Sequence, residues 1–169
     1  MFSILFAVTF ACSNGVAILV GQQLGSGDFS GARTCQRAGL QLAAMLTAVV
    51  SLPLLVAPGI VLRAFSPDTE VVTLAVNVTW TALAAVPIMV IAMNLSGLLR
   101  AAGDTRSTMI ALLIGSYLVE IPLAWLLHDS LGVIGVYLAL LAYWMTRLAV
   151  TWARYRKGSW RTDLDLSGA

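Results

Sequence analysis

The chain has 169 residues, of which 59% are hydrophobic and only 11% are charged. An ordinary soluble domain carries about 25% charged residues, so this chain is neither a soluble globule nor an intrinsically disordered segment. Ten Lys and Arg against eight Asp and Glu give a net charge of +2, and no nucleic-acid partner is indicated. Two cysteines and one histidine exclude a disulfide framework and a histidine metal site. The composition predicts an integral membrane protein.

Five apolar stretches are each long enough to cross a bilayer as a helix, which takes about 20 residues. Their continuous apolar character disfavours a membrane β-barrel, whose strands alternate in polarity over about ten residues. We therefore predict an all-α, polytopic membrane protein with a helical bundle at 1–153 and a cytoplasmic tail at 154–169. The predicted spans are 4–24, 39–62, 71–99, 107–127 and 131–153.

Basic residues occupy alternate connections between these spans. Arg33 and Arg37 follow the first span, Arg100 and Arg106 follow the third, and four more Lys or Arg lie in the tail. The connection after the fourth span has no Lys or Arg. Because basic connections stay in the cytoplasm, we expect the N-terminus outside and the C-terminus in the cytoplasm, at the plasma (inner) membrane.

Polar side chains share one face of the third span. Thr73, Asn77, Trp80 and Thr81 follow the spacing i, i+4, i+7, i+8 of a helix face. Two interpretations are open, a seam where helices pack or the wall of a cavity, and the pattern favours packing. Asn94 is a further polar residue within the same apolar stretch. We assign Asn77, Trp80, Thr81 and Asn94 to a candidate substrate or ion pathway.

The fourth span contains an acidic residue, Glu120, with Ser116 one turn before it and Tyr117 near the same face. An ionised group at a helix centre costs about 2.5–3.5 kcal/mol on insertion scales, so an intramembrane acid indicates a functional site. We therefore add these three residues to the candidate pathway. The alternative is a protonated acid that is hydrogen-bonded between helices. Arg147 in the fifth span is expected to reach towards the cytoplasm rather than to pair with Glu120.

Two prolines within the spans are candidate hinges. Pro87 lies in the third span and Pro122 in the fourth, where it frees the carbonyl of Leu118. In lipid a freed carbonyl must find another partner, and such breaks create cavities in transporters.

Two of the cytoplasmic connections place a Gly-Asp pair just before the next helix. Glycine permits a turn with positive φ, and aspartate can cap the helix that follows. This structural interpretation is favoured, and the glycine-rich stretch is no phosphate-binding loop because it lacks the Gly-Lys-Ser/Thr ending. The loop-motif residues are Gly21, Gln22, Gly25, Gly27, Asp28, Arg100, Gly103, Asp104, Thr105 and Arg106.

The two loop motifs and one span resemble a known family. The stretches are VGQQLGSGD at 20–28, GLLRAAGDTR at 97–106, and VEIPLAWLL at 119–127 followed by LGVIGVY at 131–137. Their order and spacing resemble multidrug and toxic compound extrusion (MATE) transporters. The resemblance implies that the five spans correspond to helices eight to twelve, a part of the second six-helix lobe. It also implies an N-terminal lobe, or a partner chain, outside this sequence.

The resemblance further implies part of a secondary active efflux transporter. Such a protein exports cationic or aromatic drugs and toxins in exchange for protons or sodium, without a cofactor and not as an enzyme. Its expected partners are a small-molecule substrate, membrane lipids and the missing lobe. Two features depart from the family: the third span has no central acid, and Glu120 stands where many relatives have Arg. Two alternatives are open, a lipid-linked saccharide flippase of the same superfamily and a non-transporting remnant or scaffold.

Overall fold

A computed structural model describes residues 2–64 and 68–157, with no account of the side chain of Phe2. The described residues are helical with short turns and contain no strand, which confirms the predicted all-α class. The elements are α1 (Phe2–Gly25), α2 (Phe29–Val56), α3 (Pro58–Arg63), α4 (Thr69–Ala101), α5 (Thr105–Leu113), a π-helix (Ile114–Glu120), α6 (Ile121–Leu131) and α7 (Val133–Lys157).

Five helical segments are long and apolar enough to cross a membrane, as predicted. The helix α5, the π-helix and α6 together form one of them, Thr105–Leu131. Large apolar side chains are exposed along these segments: Met45 is 67% exposed, Val49 66% and Trp125 79%. Side chains of this kind would be unfavourable in water but suit contact with lipid, so the chain is an integral membrane protein.

The helix bounds differ from the predicted spans by four or more residues at the second, fourth and fifth spans, and the fourth ends at Leu131 rather than at 127. The helix α2 begins at Phe29 rather than at 39, because Asp28 caps it and its charged first turns extend beyond an apolar stretch. It ends at Val56, because Pro58 disfavours a helical conformation at Ala57, whose φ is −144°. The helix α7 continues to Lys157 rather than ending at 153. Residues 158–169 of the predicted tail lie outside the described part.

The helix α4 is the centre of the bundle and packs against α1, α2 and α7. Residues 92–99 of this helix are buried on all sides, and Met89, Leu98 and Leu99 are each less than 2% exposed. The π-helix and α6 pack mainly against α7. Small residues bring α1 and α4 close together, since a Cβ atom on Gly97 would lie 2.9 Å from the carbonyl oxygen of Ser13. Close approach through small residues is typical of helix packing in membranes.

Candidate functional site

The helix of the fourth span changes its hydrogen-bonding pattern in the middle. Residues Ile114–Glu120 form a π-helix, and the N–H of Ile121 donates to the carbonyl of Ser116, five residues back. Pro122 follows directly and has no N–H to donate to the carbonyl of Leu118, so the regular α-helical ladder is interrupted here. π-Helical turns are frequent at functional sites.

The π-helix brings two of the predicted pathway residues together. Glu120 is half-buried, and Ser116 lies one helical turn before it within the same π-helix. Tyr117 is 64% exposed and projects away from the packed interior. On the opposite side, Gly115 leaves room for the ring of Tyr143 on α7, because a Cβ atom there would lie 2.7 Å from the ring. The π-helix therefore has one side packed on α7 and one side that presents Tyr117.

The polar face predicted for the third span lies in the first half of α4. Thr73 and Asn77 border an open cleft of about 350 Å³, whereas Trp80 is 51% exposed and Thr81 is half-buried. The expected packing seam is not found among the described residues, since no helix there covers Thr73 or Trp80. The cleft is lined by Thr69, Glu70, Thr73, Leu74 and Asn77.

The structure does not gather all predicted pathway residues into one site. The π-helix that carries Glu120 packs against α5, α6 and α7, whereas the Asn77 region belongs to the first half of α4. Asn94 is buried in the second half of α4, only 1% exposed, and its side-chain N–H donates to the carbonyl of Val90 at 3.0 Å. Its side-chain oxygen has no hydrogen-bond partner among the described residues. These are three separate positions.

A cleft between α2 and α4 was not predicted from the sequence. It has a volume of about 450 Å³, and its largely apolar lining includes Thr47 and Ser51. The predicted hinge Pro87 lines it together with Leu83, whose carbonyl would be the partner of an N–H that proline lacks. The helix α4 nevertheless continues through Pro87. The hydroxyl of Thr9 on α1 lies 3.2 Å from that of Thr47.

The spacing of Thr47 and Ser51, four residues apart within an otherwise apolar span, was the sequence signal for this cleft. Single hydroxyl residues in a membrane helix often bond to their own backbone, so this spacing does not by itself indicate a cleft. Both residues are buried, and the hydroxyl of Ser51 donates to the carbonyl of Thr47 in this manner. The presence of the cleft follows from how α2 and α4 diverge, which the sequence pattern does not specify.

The two Gly-Asp motifs are helix-capping turns, as predicted. Gly27 and Gly103 have φ of 78° and 86°, a region that only glycine adopts readily. Asp28 accepts hydrogen bonds from the N–H groups of Ser30 and Gly31 at 3.1 and 2.8 Å. The bonds from Gly31 and Ser30 lower the pKa of the exposed Asp28 carboxyl.

Asp104 caps α5 by accepting from the N–H of Ser107 at 3.1 Å, and it also binds Arg154 on α7 at 2.6 Å. Burial raises the pKa of Asp104, but the hydrogen bonds and the charge of Arg154 outweigh it and hold the pKa below the ordinary carboxyl value. The sequence did not predict this pair, because the two residues lie 50 positions apart. Asp104 thus joins the α4–α5 turn to the end of α7.

The remaining loop-motif residues have varied positions. A Cβ atom built on Gly21 would lie 4.0 Å from the Cβ atom of Ala101, so the two motifs lie side by side. Gln22, Gly25, Thr105 and Arg106 are exposed. Arg100 is half-buried, and its guanidinium donates to the side-chain oxygen of Asn14 on α1 at 3.4 Å rather than projecting from the loop.

The guanidinium group of Arg147 does not reach towards the end of α7, so that expectation was wrong. It donates to the hydroxyl of Tyr143 at 2.8 Å and lies 5.3 Å from the ring centre of Trp144, both of which precede it on α7. Attraction between the cation and the two aromatic rings explains this orientation. Arg147 makes no ion pair with Glu120. No group of three potential metal ligands occurs among residues 2–64 and 68–157.

Comparison with known proteins adds to this geometry. The MatE family model matches residues 1–126 of the chain. A solved structure, described as the inward-facing conformation of a multidrug resistance MATE family transporter of the MOP superfamily, is similar over 87% of the chain. The TM-score is 0.78 and the sequence identity is 24%, so the similarity is one of fold. The chain covers 34% of the length of that protein. No curated protein matches the chain.

Proposed function

Because the chain belongs to the MatE family, we propose that it is part of a secondary active transporter that exports cationic or aromatic compounds in exchange for protons or sodium. The observation that carries this proposal is the family match over residues 1–126. The five spanning helices, with the fold of part of a MATE transporter, are consistent with it. The lobe that would complete the cavity is supplied by a further segment or by a partner chain.

We assign the coupling-ion site to Glu120. Glu120 is half-buried near the middle of the span Thr105–Leu131, whereas Glu70 and Asp129 lie near the ends of their helices. A half-buried carboxyl within a membrane helix can exchange a proton or bind a cation as its surroundings change. Glu120 ends the π-helix, and Pro122 follows it. The regular α-helical hydrogen bonds are already interrupted in this segment, so it can bend without breaking them.

The substrate pathway is proposed to pass the exposed aromatic side chains of Tyr117 and Trp80, and Asn77, at separate positions. Both rings face away from the packed interior of the described helices and are available to a cavity shared with the missing lobe. Aromatic faces attract organic cations, which suits a cationic or aromatic substrate. Pro87 is proposed as a second hinge, since it borders the cleft between α2 and α4.

The proposed location is the plasma (inner) membrane, with the start of α1 outside and the end of α7 in the cytoplasm. The support is the concentration of Arg154, Arg156 and Lys157 in the last turns of α7. In this orientation both capping turns, around Asp28 and Asp104, lie on the cytoplasmic side.

The role of Glu120 is tested by replacing it in the protein expressed from its complete gene. Ethidium would be added outside everted membrane vesicles, and its uptake would be followed by fluorescence after a pH gradient is imposed. Glu120→Gln keeps the shape of the side chain but cannot ionise. We expect it to reduce the gradient-driven rate to the rate without a gradient.

The matched control is Asp129→Asn, which removes an exposed carboxyl near the end of the same span. We expect it to leave gradient-driven transport unchanged. Gradient-driven transport by Glu120→Gln at the wild-type rate would show that another residue couples the ion.

A further inference from the structure

The packed side of the fourth span, the side that lies against other helices, shifts by one residue along its length. Before and into the π-helix the buried positions are Thr108, Ala111 and Gly115, which follow the spacing i, i+3, i+7 of an α-helical face. Beyond Gly115 the face resumes with the same spacing at the half-buried positions 120, 123, 124 and 127. A continuous α-helix would carry the face from Gly115 to 118, 122 and 126. Leu118 is instead 69% exposed and Leu126 65%.

Two close contacts hold this span against α7, one on each side of the shift. A Cβ atom on Gly115 would lie 2.7 Å from the ring of Tyr143, and one on Gly135 would lie 2.8 Å from the Cβ atom of Leu127. Gly115 and Leu127 are 12 residues apart, which in an α-helix would place them about 120° apart around the axis. The π-helix takes one more residue per hydrogen-bonded turn, which removes about 100° of this difference. The π-helix therefore lets both residues face α7.

Glu120 lies on the packed side because of this register. It precedes Leu127 by seven residues, about two α-helical turns, so the two share a face. In a regular α-helix Glu120 would lie about 140° around the axis from Gly115, close to the direction of the exposed Tyr117. The π-helix turns Glu120 away from that exposed side, and the residue is half-buried.

The ring of Tyr143 has little freedom to move. Its hydroxyl accepts a hydrogen bond from the guanidinium of Arg147 at 2.8 Å. Its ring meets that of Trp144 edge to face, with the ring centres 4.9 Å apart. Tyr143 is 7% exposed and Trp144 2%, so neither ring has room to turn aside. Within Ile114–Glu120 the one buried residue is Gly115, and it packs against this ring.

We propose that Tyr143 is a positioning residue, which acts through Gly115 to hold the fourth span in its π-helical register and so keeps Glu120 on the packed side. The inference rests on the proposed assignment of the coupling-ion site to Glu120. A π-helix is rare and persists where the surrounding structure holds it. Pro122 interrupts the competing α-helical bonds at one end, and the Tyr143 ring holds the other end. Without the ring, the segment can revert to α-helix and turn Glu120 by about 100°.

The test is the reaction of Glu120 with dicyclohexylcarbodiimide, an apolar reagent that modifies carboxyl groups within membranes. The complete gene product would be treated in proteoliposomes without an ion gradient, and the modified peptide would be quantified by mass spectrometry over time. Gly115→Ala puts a methyl group against a ring that has no room to turn aside. We expect this variant to raise the initial labelling rate of Glu120 at least about threefold, because the segment shifts and Glu120 turns towards the exposed side.

Further variants assign the effect to the ring. Tyr143→Leu keeps an apolar side chain in the core, is expected to fold, and should raise the labelling rate in the same way. The double variant should label no faster than the faster single variant, since both changes remove one contact. Tyr143→Phe keeps the ring and should label within about twofold of the wild type. The matched control is Gly97→Ala, which overpacks the separate contact between α1 and α4 and should leave the labelling of Glu120 unchanged.

A wild-type labelling rate for Gly115→Ala or for Tyr143→Leu would overturn the proposal, as would an equal rise for Gly97→Ala. The measurement needs no transport, so its failure is distinguishable from failure of the proposed transport function. Raised labelling in both variants, together with gradient-driven transport by Glu120→Gln at the wild-type rate, would support the positioning of Glu120 by Tyr143 and refute the coupling role of Glu120.

Discussion

We expect Gly97→Ala to weaken the contact between α1 and α4. A Cβ atom at this position would lie 2.9 Å from the carbonyl oxygen of Ser13 and 2.9 Å from its hydroxyl oxygen. This is about 0.4 Å closer than a relaxed contact between carbon and oxygen. The carbonyl belongs to the backbone of α1, so the helix itself must move. The hydroxyl cannot turn away freely, because it donates to the carbonyl of Met93 at 2.7 Å.

The magnitude follows from two opposing effects. Overpacking of a closely packed contact costs about 1–3 kcal/mol. Replacing glycine by alanine within a helix raises the free energy of unfolding by about 0.5–1 kcal/mol, because the unfolded chain has less conformational freedom. We therefore expect a net loss of about 1–2 kcal/mol in the free energy of unfolding.

Gly15→Ala is the matched control for this substitution. Gly15 also lies within a membrane-spanning helix, and nothing lies within 4 Å of a Cβ atom built on it. This variant should be as stable as the wild type or slightly more stable. The assay is unfolding by sodium dodecyl sulfate in mixed micelles, followed by circular dichroism at the helix band. Equal stability changes for both variants, or a more stable Gly97→Ala protein, would refute the close α1–α4 contact.

Three further outcomes follow from the turns. Asp104→Ala should lower the free energy of unfolding by about 1–3 kcal/mol in the same assay, because it removes a helix cap and the bond to Arg154. The pKa of Asp104 is lower in the folded protein than in the unfolded protein. The stability that the Asp104 carboxylate contributes is therefore complete above the ordinary carboxyl pKa and is lost as the pH falls through the lowered value. The unfolding curves of the wild type and of Asp104→Ala should converge in acid. Gly103→Ala should cost about 1 kcal/mol or more in that unfolding assay, because φ is 86°. In a cysteine-free background, a membrane-impermeant maleimide should label Ser130→Cys in intact cells and Ser26→Cys only after permeabilisation.

The helices were predictable from the sequence because lipid imposes a simple requirement. A spanning helix must satisfy its own backbone and present apolar side chains, so unbroken apolar stretches mark it directly. The capping turns were predictable for a similar reason, since Gly27-Asp28 and Gly103-Asp104 carry their chemistry locally. The beginning of α2 at Phe29 was missed, because the span was defined by apolar residues and a helix can extend beyond the apolar region with Arg33 and Arg37 in it.

Features that depend on two distant helices were not predictable. The side chain of Arg147 points towards the rings of Tyr143 and Trp144, which precede it on α7. The position of the Tyr143 ring in turn depends on the space beside Gly115 of the π-helix. The contact of Arg100 with Asn14 depends on how α1 and α4 pack. A single sequence gives the spacing within each helix but not the rotation of one helix against another.

The most direct test of the proposed function is transport by the purified complete gene product in proteoliposomes. Ethidium transport would be followed under an imposed proton gradient, an imposed sodium gradient, and no gradient. The account predicts transport against the ethidium concentration gradient that depends on one of the two ion gradients. Equal ethidium transport with either ion gradient and without a gradient, in vesicles whose protein is folded and correctly inserted, would contradict it.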